Sequence, residues 1–373
     1  MSADVRIAFF TDLYPPYIGG QPNRFHELAT RLAARGHDVS VHCVRTHGVS
    51  AADAIEAGVH VVRSPLDERY DNPVIAATKR GVLSTTRFAL TVRRVLRNEA
   101  VDIAYFNQWP YLHILAAPRR ARAHSMIDWC ELREGPVYGL VQRRLPRMAA
   151  ANLCVNDRLA ERLSAMSGAP VGYLPSGAPT DQLWSAPESE RDGLLFLGRF
   201  VDTKDLPLLI AGFGELYRRG TAERLRIAGD GALASELHRA IAKLTPGARD
   251  RIDVLGTVTD DDKARLLATS RVLVLSSRRE GFPVVVAEAM ASGLPVATVD
   301  RPENGTAHVV SRYGIGASGP PTAAGLADAV ETVMRGWAGY SARGLDGAAG
   351  LDWDRIVDRF LTEAEALVVA TGT

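Results

Sequence analysis

The chain has 373 residues, of which 46% are hydrophobic and 23% charged, and its formal net charge at pH 7 is +1. This length suits two domains of ordinary size better than one compact core. The balanced charge, with no basic tail and no basic motif interleaved with aromatic residues, excludes a dedicated nucleic-acid-binding protein.

The amino terminus and the cysteines indicate the compartment. A strand pattern begins at Val5, which leaves no room for a signal peptide, and no apolar run reaches the length that spans a bilayer. The three cysteines, Cys43, Cys130 and Cys154, form no CxxC pair and cannot all pair with one another, which favours reduced thiols over a disulfide scaffold or a zinc site. We therefore expect a cytoplasmic protein.

Strand patterns alternate with helix patterns in the first half of the chain. Strands are predicted at Val5–Phe10, Val39–Cys43, Val59–Val62, Ile103–Phe106 and Ser125–Ile127, and helices at His26–Ala34 and Ser84–Arg97. Strands separated by helical lengths indicate parallel βαβ units.

The second half repeats this design after a linker. A stretch rich in proline, glycine and serine runs from Pro175 to Pro187. Strands are then predicted at Leu194–Leu197, Leu225–Ala228, Ile252–Leu255, Val272–Leu275 and Val296–Val299, with helices between them and a closing helix at Trp353–Leu367. The pattern predicts an α/β protein with two doubly wound, Rossmann-like parallel-sheet domains, residues 1–177 and 178–350, followed by a terminal helix in 351–373.

One region of the first half is strongly basic. Residues 69–150 contain 14 lysines and arginines against 6 acids, and Arg93, Arg94 and Arg97 lie on one predicted helix. Such a cluster can attract an anionic membrane surface. A solvated arginine-rich helix face is the more common outcome, so we keep the membrane as an alternative partner and do not favour it.

The most informative stretch runs from Arg279 to Pro295. Glu280 follows a buried strand, and the alanine-rich helix that comes next is stopped by Gly293 and Pro295. In open α/β sheets ligands bind at the carboxyl ends of strands, where a helix amino terminus attracts phosphate. Glu280 and Glu288 flank this anion site, and their carboxylates suit the hydroxyl groups of a sugar and a ribose.

This segment resembles the Glu-x7-Glu signature of retaining glycosyltransferases of family 4, which have the GT-B fold of two Rossmann-like domains facing across a cleft. The resemblance implies a nucleotide diphosphate (NDP) sugar as donor, no cofactor and no metal. It also implies that Glu280 meets the donor sugar, that Glu288 meets the ribose, and that the closing helix crosses back onto the amino-terminal domain.

A second element strengthens the resemblance. Gly198-Arg199 ends a strand and Lys204 follows, as in the family's G-R…K-G element, with Asp205 where glycine is usual. Two fixed cations there stabilise the charge that develops on the leaving phosphate. The turn Gly229-Asp230-Gly231 also matches the family, and we interpret it as structural.

A third loop frames the base in the family. It holds Val258 and Asp260, and a carboxylate there can accept the N1–H and N2–H₂ edge of guanine, which slightly favours GDP over UDP. Asp260-Asp261-Asp262 precedes a helix, so capping is a better interpretation than metal binding.

The resemblance therefore assigns roles to individual residues. Catalysis is assigned to Arg199, Lys204 and Glu280, and donor binding to Gly20, Gly198, Val258, Asp260, Gly281, Phe282, Pro283, Val284 and Glu288. Gly19-Gly20 resembles the glycine loop of the amino-terminal domain, where the backbone approaches phosphate and acceptor. The residues after it, including Gln21 and Asn23, are unusual for that loop, and we assign Gly19, Gln21 and Asn23 to the acceptor.

One departure from the family suggests the acceptor. Asp128 stands where family members usually place a histidine, and it is a fourth candidate catalytic residue; a helix-start acid is the alternative interpretation. With Trp129 and Glu131, Asp128 could form an acceptor pocket that binds a cation through ion pairing and cation–π contact. His308 stands where the family commonly has a glutamate, and we have no physical account of it.

The sequence thus predicts a retaining glycosyltransferase that acts on a small polar acceptor bearing an amino or thiol group, and the residues around Asp128 favour a cationic one. Two alternatives stay open: a peripheral-membrane glycosyltransferase of lipid or cell-envelope glycan synthesis, and a GT-B nucleotide-sugar epimerase or hydrolase. A nucleotide-binding regulator of Rossmann type is disfavoured, because no GxGxxG follows the first strand.

Overall fold

The computed structural model describes residues 5–17, 19–45, 53–66 and 82–371. The chain divides into two compact units: unit 1 contains Met1–Pro175 and Trp353–Thr373, and unit 2 contains Ser176–Asp352. The domain boundaries expected after residues 177 and 350 lie close to these divisions. Each unit is an α/β domain built on one sheet, as the alternating patterns predict.

Unit 1 begins with the strands and helices that surround the first sheet. Its strands are β1 Arg6–Phe10, β2 Asp38–Arg45, β3 Asp53–Glu56, β4 Val59–Leu66, β5 Ile103–Asn107, β6 Ser125–Trp129, β7 Ala151–Cys154 and β8 Gly172–Tyr173. Its helices up to the linker are α1 Gly20–Ala34, α2 Val82–Asn98, α3 Tyr111–Ala116, α4 Arg119–Arg122, α5 Pro136–Arg144 and α6 Asp157–Ser167.

The strand order of this sheet is β3-β4-β2-β1-β5-β6-β7-β8. Strand β3 runs antiparallel to β4, and the other paired strands are parallel. The chain winds outward from β1 to one side and then returns to its other side with β5. The loops after β1 and β5 therefore lie at a topological switch point, where open α/β sheets bind ligands.

Unit 2 has the second sheet. Its strands are β9 Asp192–Leu197, β10 Leu225–Ala228, β11 Ile252–Gly256, β12 Ser270–Leu275, β13 Val296–Val299 and β14 Gly316–Gly319. Its helices are α7 Leu206–Arg218, α8 Ala234–Ala242, α9 Pro246–Arg249, α10 Asp260–Thr269, α11 Val284–Ala291, α12 Gly305–Tyr313, α13 Ala323–Arg335 and α14 Trp337–Ala348. The parallel order β11-β10-β9-β12-β13-β14 places the switch point between β9 and β12.

The last helix, α15 Trp353–Thr371, belongs to unit 1. Its Phe360 is fully buried, with its ring stacked on Phe9 of β1 at 6.2 Å and edge-on to Tyr105 of β5 at 5.0 Å. Phe25 of α1 joins the same group of rings. The carboxyl-terminal helix therefore completes the core of the amino-terminal domain.

Local differences from the predicted elements have simple causes. Helix α1 begins at Gly20 and not at His26, because Pro22 is tolerated in a first turn and the polar residues around it mask the apolar spacing. Strands β3, β7, β8 and β14 were not predicted, since each is short and lacks a hydrophobic run. Within the described ranges, no helix is long and apolar enough to cross a membrane.

Candidate functional site

The loops after β9 and β12 are joined at the switch point of unit 2. The hydroxyl of Ser276, just beyond β12, lies 2.8 Å from the carbonyl oxygen of Lys204 and 3.0 Å from that of Asp205. The backbone N–H of Arg278 donates to the carbonyl of Thr203 at 2.8 Å. These bonds hold the two loops in one arrangement at the carboxyl edge of the sheet.

Lys204 and Glu280 form an ion pair across these loops. The hydroxyl of Ser277 donates to the same carboxylate oxygen, Oε1, at 3.1 Å. The side chains of Lys204 and Glu280 are 14% and 16% exposed, so both reach solvent. Gly198 lies against this lysine, since a Cβ at this position would be 3.5 Å from Cε of Lys204, an ordinary van der Waals contact. The structure thus brings together Lys204 and Glu280, which the sequence assigned to catalysis, and Gly198, which it assigned to donor binding.

The backbone of Glu280 is fixed by the loop after β13. Its N–H donates to the carbonyl of Glu303 at 3.0 Å, and its carbonyl accepts from the N–H of Gly305 at 2.8 Å. A Cβ at Gly305 would lie 2.0 Å from the carbonyl oxygen of Gly281. Buried Asn304 caps α12 through the N–H of Thr306 and anchors the loop to Val299. Sequence reasoning missed this support, because it is carried by backbone contact.

Glu288 has a lysine partner of its own. Lys263 Nζ lies 3.0 Å from Glu288 Oε1 and 3.2 Å from Asp260 Oδ1. Burial lowers the pKa of Lys263, but the charges of Glu288 and Asp260 outweigh burial, so this pKa is raised and the lysine stays charged. Lys263 was not predicted as a site residue; its place one helical turn after Asp260 was the available signal.

Helix α11 begins between these two ion pairs. Pro283 precedes its first residue, Val284, and no side chain of the described ranges caps this end. The N–H of Val286 bonds to the carbonyl of Pro283 at 2.9 Å, and the N–H groups that precede it in the first turn are the ones that can bind an anion. Gly281, Phe282 and Pro283 form the entry to the helix, and their role in donor binding stays a prediction.

The other predicted site residues lie on separate loops and helix starts of the two units. Val258 is half-buried in the loop between β11 and α10. Asp260 opens α10, whose amino-terminal cap is Thr259, so the acidic run forms the first turn of a helix. Arg199 is exposed and makes no ion pair among the described residues. Gly20 is exposed at the start of α1 in unit 1.

Asp205 explains one departure from the family pattern. Its backbone is left-handed, with φ of 49°, which is the conformation that favours glycine. Its buried carboxylate accepts from Arg278 Nη2 at 3.1 Å and from Arg301 Nη2 at 2.6 Å. The two ion pairs offset the backbone strain, since aspartate tolerates this region better than most residues.

The predicted cationic pocket at Asp128 is wrong. Asp128 is fully buried, and both carboxylate oxygens bind the guanidinium of Arg24, at 2.9 and 3.0 Å. Arg24 also donates to the carbonyls of Leu174 and Pro175. A carboxylate that is already neutralised and closed to solvent cannot hold a cationic acceptor or act as a nucleophile on the substrate.

Trp129 is also fully buried, and its indole N–H donates to Asn152 Oδ1 at 3.0 Å. It therefore lines no pocket, and this part of the prediction is wrong as well. Burial, with the charge of Asp128 adding to it, raises the pKa of the neighbouring Cys130 thiol well above its ordinary value, so Cys130 is no reactive thiolate. Glu131 differs from its neighbours: its carboxylate is 24% exposed and binds Arg133.

The glycine loop of unit 1 is only partly as expected. Gly19 precedes α1 with φ of 166°, an extended conformation that any residue adopts. The amide of Gln21 donates to Thr11 Oγ1 at 2.9 Å, which ties the start of α1 to the end of β1. Asn23 is exposed in the first turn. The loop is well placed at the switch point, but its glycines are not required by backbone conformation.

The basic region of unit 1 has a mixed surface. Arg94 and Arg97 of α2 are exposed, whereas Arg93 is half-buried and lies 3.4 Å from the carbonyl of Ala116 in α3. Exposed leucines accompany the arginines on α2 and α3: Leu83, Leu90, Leu112 and Leu115. Arg69 lies outside the described residues. The surface is therefore both basic and apolar.

No group of three or more histidine, cysteine or acidic side chains that could hold a metal ion occurs in the part of the chain that the structure describes. His308 lies half-buried on α12. Nothing in the structure explains its replacement of the family's glutamate.

Comparison with known proteins identifies the family. Residues 19–176 match the family model "Glycosyl transferase 4-like domain" and residues 184–343 match "Glycosyl transferases group 1". Mannosylfructose-phosphate synthase from Agrobacterium fabrum is 34% identical over 74% of this chain and 70% of its own length. The chain belongs to the GT4-type glycosyltransferases.

Solved structures show the fold of this GT4-type enzyme. Sucrose-phosphate synthase from Thermosynechococcus elongatus aligns with a TM-score of 0.80 and 18% identity, and the alignment covers 98% of this chain and 100% of that chain. Anabaena HepE in complex with UDP and glucose aligns with a TM-score of 0.71 and 16% identity, over 97% and 100%. The predicted GT-B fold and glycosyltransferase activity are confirmed.

Proposed function

We propose that this GT4-type enzyme transfers a sugar from an NDP-sugar held in unit 2 to a small hydroxylated acceptor, with retention of the anomeric configuration and without a metal. The observation that carries the proposal is the pair of lysine–glutamate contacts, Lys204–Glu280 and Lys263–Glu288, on either side of the uncapped start of α11. Cations and free N–H groups at one sheet edge suit a diphosphate between a sugar and a ribose.

The residues divide the chemistry between them. The ammonium of Lys204 stabilises the negative charge that develops on the leaving phosphate, and Arg199 supplies a second cation as substrate binds. Glu280 accepts hydrogen bonds from the hydroxyls of the donor sugar and Glu288 from the ribose. Because Asp128 is sealed in its ion pair, we propose same-face attack, in which the leaving phosphate takes the proton of the acceptor hydroxyl.

The base of the nucleotide is a separate question. The argument for GDP rested on Asp260, whose carboxylate instead contacts Lys263, while the Anabaena neighbour was crystallised with UDP. We therefore propose a nucleoside diphosphate without a base preference. A thermal-shift series with UDP, GDP and ADP tests it, because the bound nucleotide raises the melting temperature by mass action.

The donor assignment is tested by Glu288→Gln. We expect nucleotide binding, measured by calorimetry, to weaken about 10-fold or more, because the ribose loses a charged acceptor. Glu188→Gln, on the exposed surface of the same unit, is the matched control. Unchanged affinity in Glu288→Gln would contradict the assignment.

Metal independence and transfer are tested together. Transfer should persist in excess EDTA; a strict requirement for Mg²⁺ or Mn²⁺ would overturn the metal-free mechanism. Mass spectrometry of the products separates transfer from the alternative epimerase or hydrolase, which would consume or convert the donor without forming a conjugate.

The cytoplasmic location expected from the sequence stays a prediction.

A second candidate function is transfer to a lipid acceptor at a membrane surface. The exposed leucines beside Arg94 and Arg97 on α2 favour it, since apolar and cationic side chains together suit an anionic interface. Sedimentation with phosphatidylglycerol vesicles tests it: binding should fall with salt and in Arg94→Gln/Arg97→Gln, and its absence at low salt would exclude this function.

A further inference from the structure

The loop after β5 places an aromatic cluster at the switch point of unit 1. Trp109 and Tyr111 follow this strand, and their ring centroids are 4.4 Å apart. Tyr138, from α5, contacts Trp109 at 6.0 Å and Tyr111 at 6.5 Å. The guanidinium of Arg133 lies over the Trp109 ring at 4.2 Å. Three rings and a cation therefore meet at the edge of the sheet where α/β domains bind ligands.

Two buried glutamines hold the loop that faces this cluster. Gln108 Oε1 accepts from the N–H groups of Cys130 and Glu131 at 2.5 and 3.0 Å, and its amide donates to the carbonyl of Glu131 at 2.9 Å. Gln142 of α5 exchanges two bonds of 2.8 Å with the backbone of Arg133. The loops after β5 and β6 are thus fixed before any ligand arrives, as a preorganised binding site requires.

Three polar atoms of the loop after β5 are buried without a hydrogen-bond partner among the described residues. They are Asn107 Oδ1, Trp109 Nε1 and Tyr111 Oη. Leaving such an atom unpaired is costly, and native proteins satisfy nearly all of them with protein, water or ligand. Three within five consecutive residues, at a ligand-binding edge, indicate that a ligand or its water completes them.

The chemistry of the cluster selects the ligand. The Trp109 ring already packs against Tyr111 at 4.4 Å and Arg133 at 4.2 Å, so Tyr138 is the residue whose ring face suits the C–H surface of a pyranose. The indole N–H, phenol and carboxylate of the cluster suit the hydroxyls of the sugar. Arg133 and Glu131 neutralise each other at 2.9 Å, so the cluster has no excess charge to select an ion. Val137 and Leu140 of α5 are exposed beside it.

We propose that Trp109, Tyr111, Tyr138, Glu131 and Arg133 form a carbohydrate-binding site that takes an uncharged hexopyranoside as the acceptor. This inference rests on the proposed function, and it replaces the cationic acceptor predicted from Asp128. The site is composed of residues of unit 1 alone, so its occupancy is measurable separately from donor binding in unit 2.

The test uses three hexose probes of different charge on the full chain: methyl α-D-glucopyranoside, glucose 6-phosphate and glucosamine. Saturation-transfer NMR measures their binding, and calorimetry with UDP, GDP and ADP measures donor-site binding in the same preparations. We expect saturable binding of the neutral glucoside, with no gain from phosphate or ammonium.

The variants are chosen so that loss of folding and loss of binding differ. Tyr111→Phe removes a buried hydroxyl that has no partner, so its melting temperature should be equal to or above that of the wild type, while glucoside binding weakens about 10-fold. Trp109→Phe, which removes the indole N–H, should weaken binding likewise. Trp184→Phe, at an exposed tryptophan of unit 2, is the control and should change neither.

Each other outcome overturns the inference in a recognisable way. Failure of the glucoside to saturate the wild type while a nucleotide binds removes the acceptor site and leaves the donor function standing. Preference for glucosamine or glucose 6-phosphate refutes an uncharged ligand. A fall in melting temperature that parallels the loss of binding in Tyr111→Phe shows that the cluster is structural. Loss of nucleotide binding instead contradicts the proposed function.

Discussion

At the residue scale, the role of an acid depends on its partner and on its burial. Glu280 and Glu288 each have a lysine but remain at the surface of the site or just below it. Asp128 has an arginine and no access to solvent. Acidic residues therefore serve substrate binding in one place and core structure in the other. Only the glutamates of the two lysine pairs can exchange their partner for a substrate group.

The Lys204–Glu280 pair gives the first prediction. Lys204→Met should lower kcat by roughly 10²-fold, because the cation acts where charge develops, and Glu280→Gln should act mainly on the donor sugar. Steady-state kinetics with the donor, alongside nucleotide affinity, measure both. Nucleotide affinity that falls as much as kcat in Glu280→Gln would place this carboxylate at the nucleotide and not at the sugar.

The Arg24–Asp128 pair gives the second prediction, which concerns stability. Asp128→Asn should lower the free energy of unfolding by about 3–5 kcal/mol, because it leaves Arg24 buried without a countercharge. Denaturant unfolding measures the loss, and Arg24→Met combined with Asp128→Leu should recover part of it. If Asp128→Asn had normal stability and a raised KM for the acceptor, the result would show that Asp128 belongs to the acceptor site.

The third concerns pH. His42 of β2 is buried against Phe10 at 5.2 Å, and burial, with a smaller effect of His60, lowers its pKa from 6.5 to about 4. The folded state therefore binds this proton less readily than the unfolded state does. The contribution of neutral His42 to the free energy of unfolding is complete above pH 6.5, and roughly 3 kcal/mol of it is lost as the pH falls through about 4. Between these pH values the free energy of unfolding of His42→Asn should change less with pH than that of the wild type. An equal slope of this free energy against pH would assign the pH dependence to other groups.

At the element scale, strand order decides where the loops meet. In unit 2 the loops after β9 and β12 are far apart in sequence but adjacent at the switch point, and a third loop, before α12, bonds to the backbone of Glu280. The site is therefore positioned by hydrogen bonds between loops and by a close backbone approach at Gly305, where the absence of a side chain allows it.

Gly305→Ala tests this positioning. The added Cβ would lie 2.0 Å from the carbonyl oxygen of Gly281, so the loop carrying Glu280 must shift. We expect kcat to fall about 10²-fold, since a displacement of about 1 Å at a reacting group has this effect. Gly339→Ala, on α14 and near only a flexible arginine, is the control. Normal kcat in Gly305→Ala would show that the loop adapts without loss.

At the scale of the whole molecule, the two units differ in how the chain builds them. Unit 2 is continuous, whereas unit 1 is completed by α15 from the far end of the sequence. Its buried face, centred on Phe360, joins the rings of Phe9 and Tyr105. Unit 1 therefore depends on contacts that close a very long loop, which local sequence patterns do not specify.

Phe360→Ala should lower the stability of unit 1 by about 3–5 kcal/mol through loss of buried area and the cavity left behind. Nucleotide binding in unit 2 should be unaffected below the unfolding transition. Calorimetric scans with and without nucleotide measure the two effects, and Val369→Ala, at an exposed site on the same helix, is the control. Coupled loss of nucleotide binding would show that the units do not behave independently.

The sequence by itself determined the parallel α/β architecture of both units and the donor edge of unit 2. Periodicity, turn residues and short motifs are local, and the strand-to-helix segment containing Glu280 and Glu288 is a local unit whose chemistry follows from its order. Lys204 was identified for the same reason, because its spacing from Gly198 lies within one loop.

The tertiary structure alone decided which acidic side chains can reach a substrate. Asp128 and Arg24 are 104 residues apart, and their pairing depends on β6 and α1 meeting where the carbonyls of Leu174 and Pro175 also accept from the guanidinium. The aromatic cluster around Trp109 is likewise assembled from the loops after two strands and a helix. Burial and long-range pairing arise only when the sheet closes, because the free energy of a charge or a ring depends on what surrounds it and not on its neighbours in sequence.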